Sequence, residues 1–158
     1  MIRAWRLARR AHSEPAAERA FDGYGAQLYG GRWNSVGVPA AYAASSRALC
    51  ALEYLVHLDP DLLPDDLVFA EARFSASNIE RVRHLPERWD ELGSLSAVAY
   101  GDAWLREARS LVLEVPSIIV PGEMNYVINP RHPDVATLEI RPMLERFAFD
   151  ERLLKPRP

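Results

Sequence analysis

The sequence predicts an α+β domain, and three observations lead there. Strand-like runs recur along the whole chain, with IRAWRLA at 2–8, LVFAEARF at 67–74 and SLVLEV at 110–115. Two longer segments, 45–58 and 96–108, read as helices instead. The glycines fit neither a P-loop, which needs a lysine followed by a hydroxyl residue, nor the spaced fingerprint of a dinucleotide-binding βαβ unit, so neither of those folds is supported.

A length of 158 residues and a mass of 17.8 kDa suit a single domain spanning 1–158 with a substantial core. A net charge of −3 and a pI near 5.8 argue against direct nucleic-acid binding, which usually leaves a basic stripe. Lys155 is the only lysine, a bias that genomic base composition explains better than a guanidinium-specific function. Cys50 is alone, so no intramolecular disulfide can form, and a buried, inert thiol in a reducing cytoplasm is expected. MIRAWRLARRAH holds no apolar core of signal-peptide type and no later run is long enough to span a bilayer, so the expectation is a soluble cytoplasmic protein without a membrane partner.

In order, residues 2–8 form a first strand with Trp5 and Leu7 on one face and Arg6 on the other. Glu14 to Phe21 reads as a short helix, and DGYG after it as a turn or loop. Gly30 and Gly31 permit either a tight turn or a close approach to a ligand, and both readings stay open. Pro39 to Ala44 makes a short strand, and Ser45 or Ser46 caps the helix that runs to about Leu58. That helix is apolar almost all round and belongs in a core, with Glu53 as its one carboxylate.

DPDLLPDD at 59–66 stops the helix as an exposed linker, and 67–74 alternates as a strand. Residues 75–95 are mixed, 96–108 are helical with Val98, Leu105 and Ala108 among the apolar positions, and 110–115 form a strand that Pro116 interrupts. IIVPGEMNYVINPRHPD suggests short strands between specified turns, RFAF at 146–149 adds one strand, and LLKPRP frays. No internal repeat, low-complexity tract or heptad is present.

Among polar residues Glu53 stands out, because a buried ionised carboxylate is costly unless compensated. Arg32 and Tyr42 are the nearest partners in sequence, and a carboxylate at the helix edge paired with an arginine is the plain structural alternative. His57 lies four residues on and can share its face. Metal binding is poorly supported, since one cysteine and the scattered His12, His57, His84 and His132 form no zinc motif. Ser117 follows a proline and sits in no nucleophile elbow. Arg32, Tyr42, Glu53 and Ser117 nevertheless form a polar set beside glycine turns and apolar elements. A guanidinium can hold phosphate oxygens, a carboxylate can hold ribose hydroxyls or stabilise cationic character, and an aromatic ring can stack on a base.

At these residues the chain resembles the RES-domain family, toxins of Xre/RES toxin–antitoxin modules. The resemblance runs through WRL, YGGRWN, the spaced Tyr42, ALEYLVHL, SLVLEVPS, NYVINPRHPD and FDERL, in that order. The family's naming arginine, glutamate and serine map to Arg32, Glu53 and Ser117. It implies an ADP-ribosyltransferase-like fold, a split, mainly antiparallel sheet flanked by helices with an NAD-binding cleft between its parts. NAD is then substrate, with no cofactor or metal, and a toxin that cleaves the nicotinamide–ribose bond by hydrolysis or phosphorolysis is expected. ADP-ribosyl transfer to a protein is the alternative, and a catalytically silent nucleotide- or antitoxin-binding module is an alternative of another class.

The implied catalytic set is Arg32 on the pyrophosphate, Tyr42 against nicotinamide or its ribose, Glu53 on ribose hydroxyls and the developing positive charge, and Ser117 orienting either Glu53 or the nicotinamide ribose. Tyr29, Gly30, Gly31, Arg32, Trp33 and Asn129 form the implied substrate-binding set, although INP is equally a turn signature. The implied partner is a cognate Xre-like helix-turn-helix antitoxin, in a complex that accommodates a homo-oligomer.

Overall fold

The structure is a computed structural model that describes residues 1–14, 16–59, 64–141 and 145–154. Strand β1 (Ile2–Arg9) runs into a single turn, α1 (Arg10–Ser13), which is followed by a 3-10 segment at Ala17–Phe21. The short helix expected at 14–21 is thus observed as a 3-10 segment over Ala17–Phe21, with the α-helical turn α1 lying before the expected span. The 3-10 piece is held by what it buries, Ala20 and Phe21, which enter the core. Helix α2 (Tyr24–Tyr29) occupies part of the expected DGYG loop and starts after Gly23, whose φ is +75°.

Strand β2 (Ala41–Ala44) precedes helix α3 (Arg47–Leu55). Of the two candidate caps, Ser46 accepts from the backbone N–H of Leu49 at 3.1 Å, a contact worth about 1 kcal/mol. Strand β3 (Leu67–Phe74) occupies the expected residues, and β4 (Ile79–Arg81) falls in the stretch that sequence left mixed. Helix α4 (Leu95–Glu107) is capped by Ser94, whose side chain accepts from the N–H of Ala97. Strands β5 (Val112–Pro116), β6 (Met124–Ile128), β7 (Glu139–Ile140) and β8 (Glu145–Phe147) complete the sheet. Pro116 closes β5 rather than interrupting it. Most of the expected DPDLLPDD linker and LLKPRP tail, at 60–63 and 155–158, lie outside the described residues.

Among the described residues the sheet runs β4-β5-β6-β2-β1-β3-β7, with β8 also pairing β3. Pairing is antiparallel except between β4 and β5, which α4 joins as a crossover. The expected α+β architecture is therefore observed. Its split shows in the register: β1 and β3 pair over eight residues, whereas β1 and β2 meet only at Trp5 and Ala44.

One face of the sheet buries Ala4, Ala41, Ala43, Ala70, Ala72, Phe74 and Ile128 beneath Ala20 and Phe21. The opposite face carries two separate clusters. Helix α4 brings Ala97, Trp104 and Leu105 onto Leu113, Val115 and Val127, while α3 brings Leu49 and Cys50 onto Trp5, Leu7, Leu67 and Phe69. Each large apolar side chain so buried contributes about 1.5–3 kcal/mol before entropy. Between the two clusters the sheet borders a cleft lined from both α3 and α4.

Helix α3 corrects one expectation. It buries fully only Leu49 and Cys50, and Leu52 and Val56 remain 40% and 52% exposed. An apolar helix need not be central when one of its sides forms the wall of a cleft.

Candidate active site

The opening between α3 and α4 is a cleft of about 1240 Å³. Tyr42, Ala44, Val115 and Asn125 line it from the sheet, Glu53 from α3 and His57 from the turn that follows it, and Gly30 to Trp33 from the loop after α2. Among the described residues no group of three or more His, Cys, Asp or Glu could hold a metal. Among the same residues no helix is long and apolar enough to cross a membrane.

The loop is built tightly. Gly31 and Asn34 pair across it as an isolated bridge, and Asn34, 1% exposed, donates to the carbonyls of Ala26, Ser35 and Val38. The Tyr42 hydroxyl donates to Asn34 Oδ1 at 2.7 Å and accepts from the Trp33 N–H at 2.9 Å. Burial raises the phenol pKa well above its ordinary value, so it stays a neutral donor and acceptor here. At Gly31 an added Cβ would stand 2.6 Å from the Tyr42 hydroxyl. The loop is thus a tight turn, and what approaches Gly31 closely is the Tyr42 side chain.

Helix α4 holds the loop from its other side. The Asp102 carboxylate accepts from the Ser35 N–H at 2.9 Å and from its hydroxyl, and Trp33 stacks on Trp89 with Tyr100 at its edge. Arg32, partly buried, directs Nη1 to the carbonyls of Trp89 at 2.9 Å and Glu91 at 2.7 Å. Tyr29 stands at the mouth, 83% exposed.

Glu53 has neither partner suggested by proximity in sequence. Ser117 Oγ donates to its Oε1 at 2.7 Å and Asn125 Nδ2 donates to the same oxygen at 2.6 Å. Among the described residues no arginine or lysine lies within ion-pair distance, which rules out the helix-edge ion pair, and Oε2 has no protein donor. Ser117 is itself fixed, accepting from the Val120 N–H at 3.0 Å while its own N–H donates to the Glu123 carbonyl. Two neutral donors hold a carboxylate in place without neutralising it, which leaves its charge available to a ligand.

Arg32, Tyr42 and Glu53 therefore line one cleft, and Ser117 reaches it through Glu53. Asn129 is placed elsewhere: its Nδ2 donates to the Leu105 carbonyl at 3.0 Å and its Oδ1 accepts from the Arg131 N–H, so its amide secures the turn beside the end of α4. His132 does similar work, its ring bonding the Ala108 carbonyl and the Asp134 N–H. Sequence reasoning passed over Asn125. Its signal was alternation along β6, which puts Asn125 on the face of Val127, opposite Tyr126 and Ile128.

Cys50 also borders the cleft, and burial pushes its thiol up to about 12. That fits the inert thiol expected. Arg6, from β1, lines the cleft as well and donates from Nη1 to the Tyr42 carbonyl at 2.7 Å across the seam.

The sequence profile of the RES domain matches residues 3–150, and the chain belongs to the RES-domain family. Over 157 residues it is 37% identical to the Prs ADP-ribosylating toxin of Sphingobium sp. (strain YBL2), covering 96% of each chain. It is 36% identical over 141 residues to a Toxin Res of Photorhabdus laumondii, covering 87% and 90%, and 38% identical over 136 residues to a Toxin Res of Yersinia enterocolitica, covering 83% and 88%. A solved structure, that of the M. tuberculosis MbcT–MbcA toxin–antitoxin complex, contains a chain with the same fold at a TM-score of 0.60 and 18% identity, covering 89% of this chain and 81% of that one.

Proposed function

We propose that this protein is the toxin of a toxin–antitoxin module and consumes NAD by cleaving the bond between nicotinamide and ribose. The observation that carries the reading is Glu53, an uncompensated carboxylate held by Ser117 and Asn125 in a cleft large enough for a dinucleotide. As the glycosidic C–N bond breaks, its electron pair leaves with nicotinamide, neutralising the ring nitrogen, and positive character moves to the ribosyl carbon. A fixed carboxylate beside that carbon stabilises the charge where it develops, and positioning supplies the rest. Arg32 and the glycine loop bind the phosphate side of the substrate, the Tyr42 ring packs against nicotinamide or its ribose, and Ser117 and Asn125 keep Glu53 in one rotamer.

Water or inorganic phosphate then captures the ribosyl cation. A second reading, transfer of ADP-ribose to a protein side chain, is favoured by the name of the Sphingobium relative, an ADP-ribosylating toxin. Both readings share the first bond cleavage. The partner in this proposal is a cognate helix-turn-helix antitoxin that covers the cleft, in keeping with the toxin–antitoxin complex among structures of the same fold.

The test is to incubate the purified chain with NAD, with and without inorganic phosphate and with a bacterial extract, and to identify the products. Nicotinamide should be released in every case, and the other product names the acceptor. Intact NAD after prolonged incubation with well-folded protein would sink the proposal.

A further inference from the structure

The side chain of Asn125 is only half satisfied. Its Nδ2 donates to Glu53 Oε1, while its Oδ1 is buried and has no hydrogen-bond partner. Buried polar atoms are almost always paired in folded proteins, and this one belongs to a residue that lines the cleft. The backbone leaves it little freedom, because β6 is paired on both sides and sets Asn125 opposite Ala44 on β2 and Val115 on β5. Neither neighbour carries a side-chain donor. Turning the amide over would set Oδ1 against Glu53 Oε1, two acceptors at hydrogen-bond distance, so the carboxylate fixes which end of the amide goes unpaired.

Holding Glu53 does not require an amide. A hydroxyl does it at Ser117, and what an amide adds is a separate accepting atom. Glu53 is in a matching state: both its donors converge on Oε1, and among the described residues Oε2 has no donor. The wall therefore presents two acceptors without donors, one charged and one neutral, on the two groups that meet at Oε1. Ionised phosphoryl oxygens offer no proton there and are repelled by the carboxylate. A vicinal diol offers two O–H donors from adjacent carbons, and NAD carries one on the ribose whose bond to nicotinamide breaks. Resting on the NAD-consuming reading, we propose that Asn125 Oδ1 is a substrate contact. It accepts from one hydroxyl of the nicotinamide ribose, Glu53 Oε2 accepts from the other, and the pair selects a ribose that keeps both.

The experiment measures Kd for an NAD analogue with a carbon–carbon bond in place of the scissile bond, and for the same analogue lacking the 2′ or the 3′ hydroxyl of that ribose. Wild type is compared with Asn125→Leu, so that binding is read without turnover. Wild type should bind each deoxy form about tenfold or more weakly than the full diol, the loss expected when an acceptor in the wall goes unpaired. In Asn125→Leu the full analogue should bind about tenfold or more weakly, and one of the two hydroxyl penalties should disappear while the other persists. The penalty that disappears names the hydroxyl that Asn125 reads.

A folded Asn125→Leu chain that keeps both penalties, or loses both alike, would overturn the inference and leave Asn125 a prop for Glu53. So would an effect that follows the carboxamide, read with the nicotinic acid form of the analogue, in place of either hydroxyl. Asn125→Ala repeats the comparison where leucine is not accommodated, and equal wild-type affinity for all three ribose forms would overturn the inference without any variant. A wild type that discriminates the diol through Asn125 yet leaves NAD intact keeps the contact and removes the NAD-consuming reading. NAD cleavage by a chain whose affinity is indifferent to both hydroxyls does the reverse.

Discussion

Glu53 is where a structural and a chemical role predict different numbers. Glutamine keeps the size and an acceptor for Ser117 and Asn125 but removes the charge. In Glu53→Gln turnover should fall on the order of 100-fold or more, as removal of one well-placed electrostatic group commonly does, with NAD affinity largely kept. The melting temperature should hold or rise, because a carboxylate without a cation has been removed from a partly buried wall. Near-wild-type turnover in a folded variant would end the catalytic assignment. Tyr42→Phe separates ring from hydroxyl: it leaves the Trp33 N–H and Asn34 Oδ1 without their partner, which should cost about 1–3 kcal/mol and lower the melting temperature. A Tyr42→Phe chain as stable as wild type would contradict the role given to that hydroxyl. Glu53 was legible in the sequence because it interrupts an apolar helix, and Arg32 and Ser117 through their motifs. Asn125 was not, since its bond to Glu53 exists only after strand and helix have docked.

Elements whose residue types and period agreed were readable: β3 matches its expected bounds, and α4 differs by one residue at each end. Helix α3 starts where expected but ends at Leu55 rather than about Leu58, and it was given too deep a burial, because a stripe that lines a cleft and one that fills a core use the same apolar residues. Strand β4, three residues long and paired to β5 across a whole helix, has no local signal to find. Helix α4 does more than cover the sheet, for Gly101 lies so close to the loop after α2 that an added Cβ would stand 1.9 Å from the Trp33 carbonyl oxygen. Gly101→Ala must push that backbone away, and it should lower both melting temperature and NAD affinity. Asp102→Ala is gentler: it removes two hydrogen bonds to Ser35, costing about 1–3 kcal/mol, and should raise KM for NAD with kcat little changed. Wild-type kinetics in both variants would show that α4 does not position the loop.

At the scale of the whole molecule the two halves of the sheet meet at one register pair, Trp5 with Ala44, reinforced by the Arg6 contact to Tyr42. The half containing β1 and β3 carries Arg6, the half containing β2, β5 and β6 carries Tyr42 and Asn125, and α3 brings Glu53 over the join. A ligand in the cleft therefore touches both halves and should bind only their assembled form. Binding to the folded state alone adds about 2.7 kcal/mol at a concentration 100 times Kd, which for a chain of this size is a rise of roughly 5–10 °C in Tm. An NAD analogue with a carbon–carbon bond in place of the scissile bond allows the measurement without turnover. Hydrogen exchange should then slow most at 5–7 and 42–44, along the seam, and least in the β1–β3 ladder, where the eight-residue register already protects the amides. Protection spread evenly over the sheet, or confined to one half, would mean that the ligand does not bridge the seam.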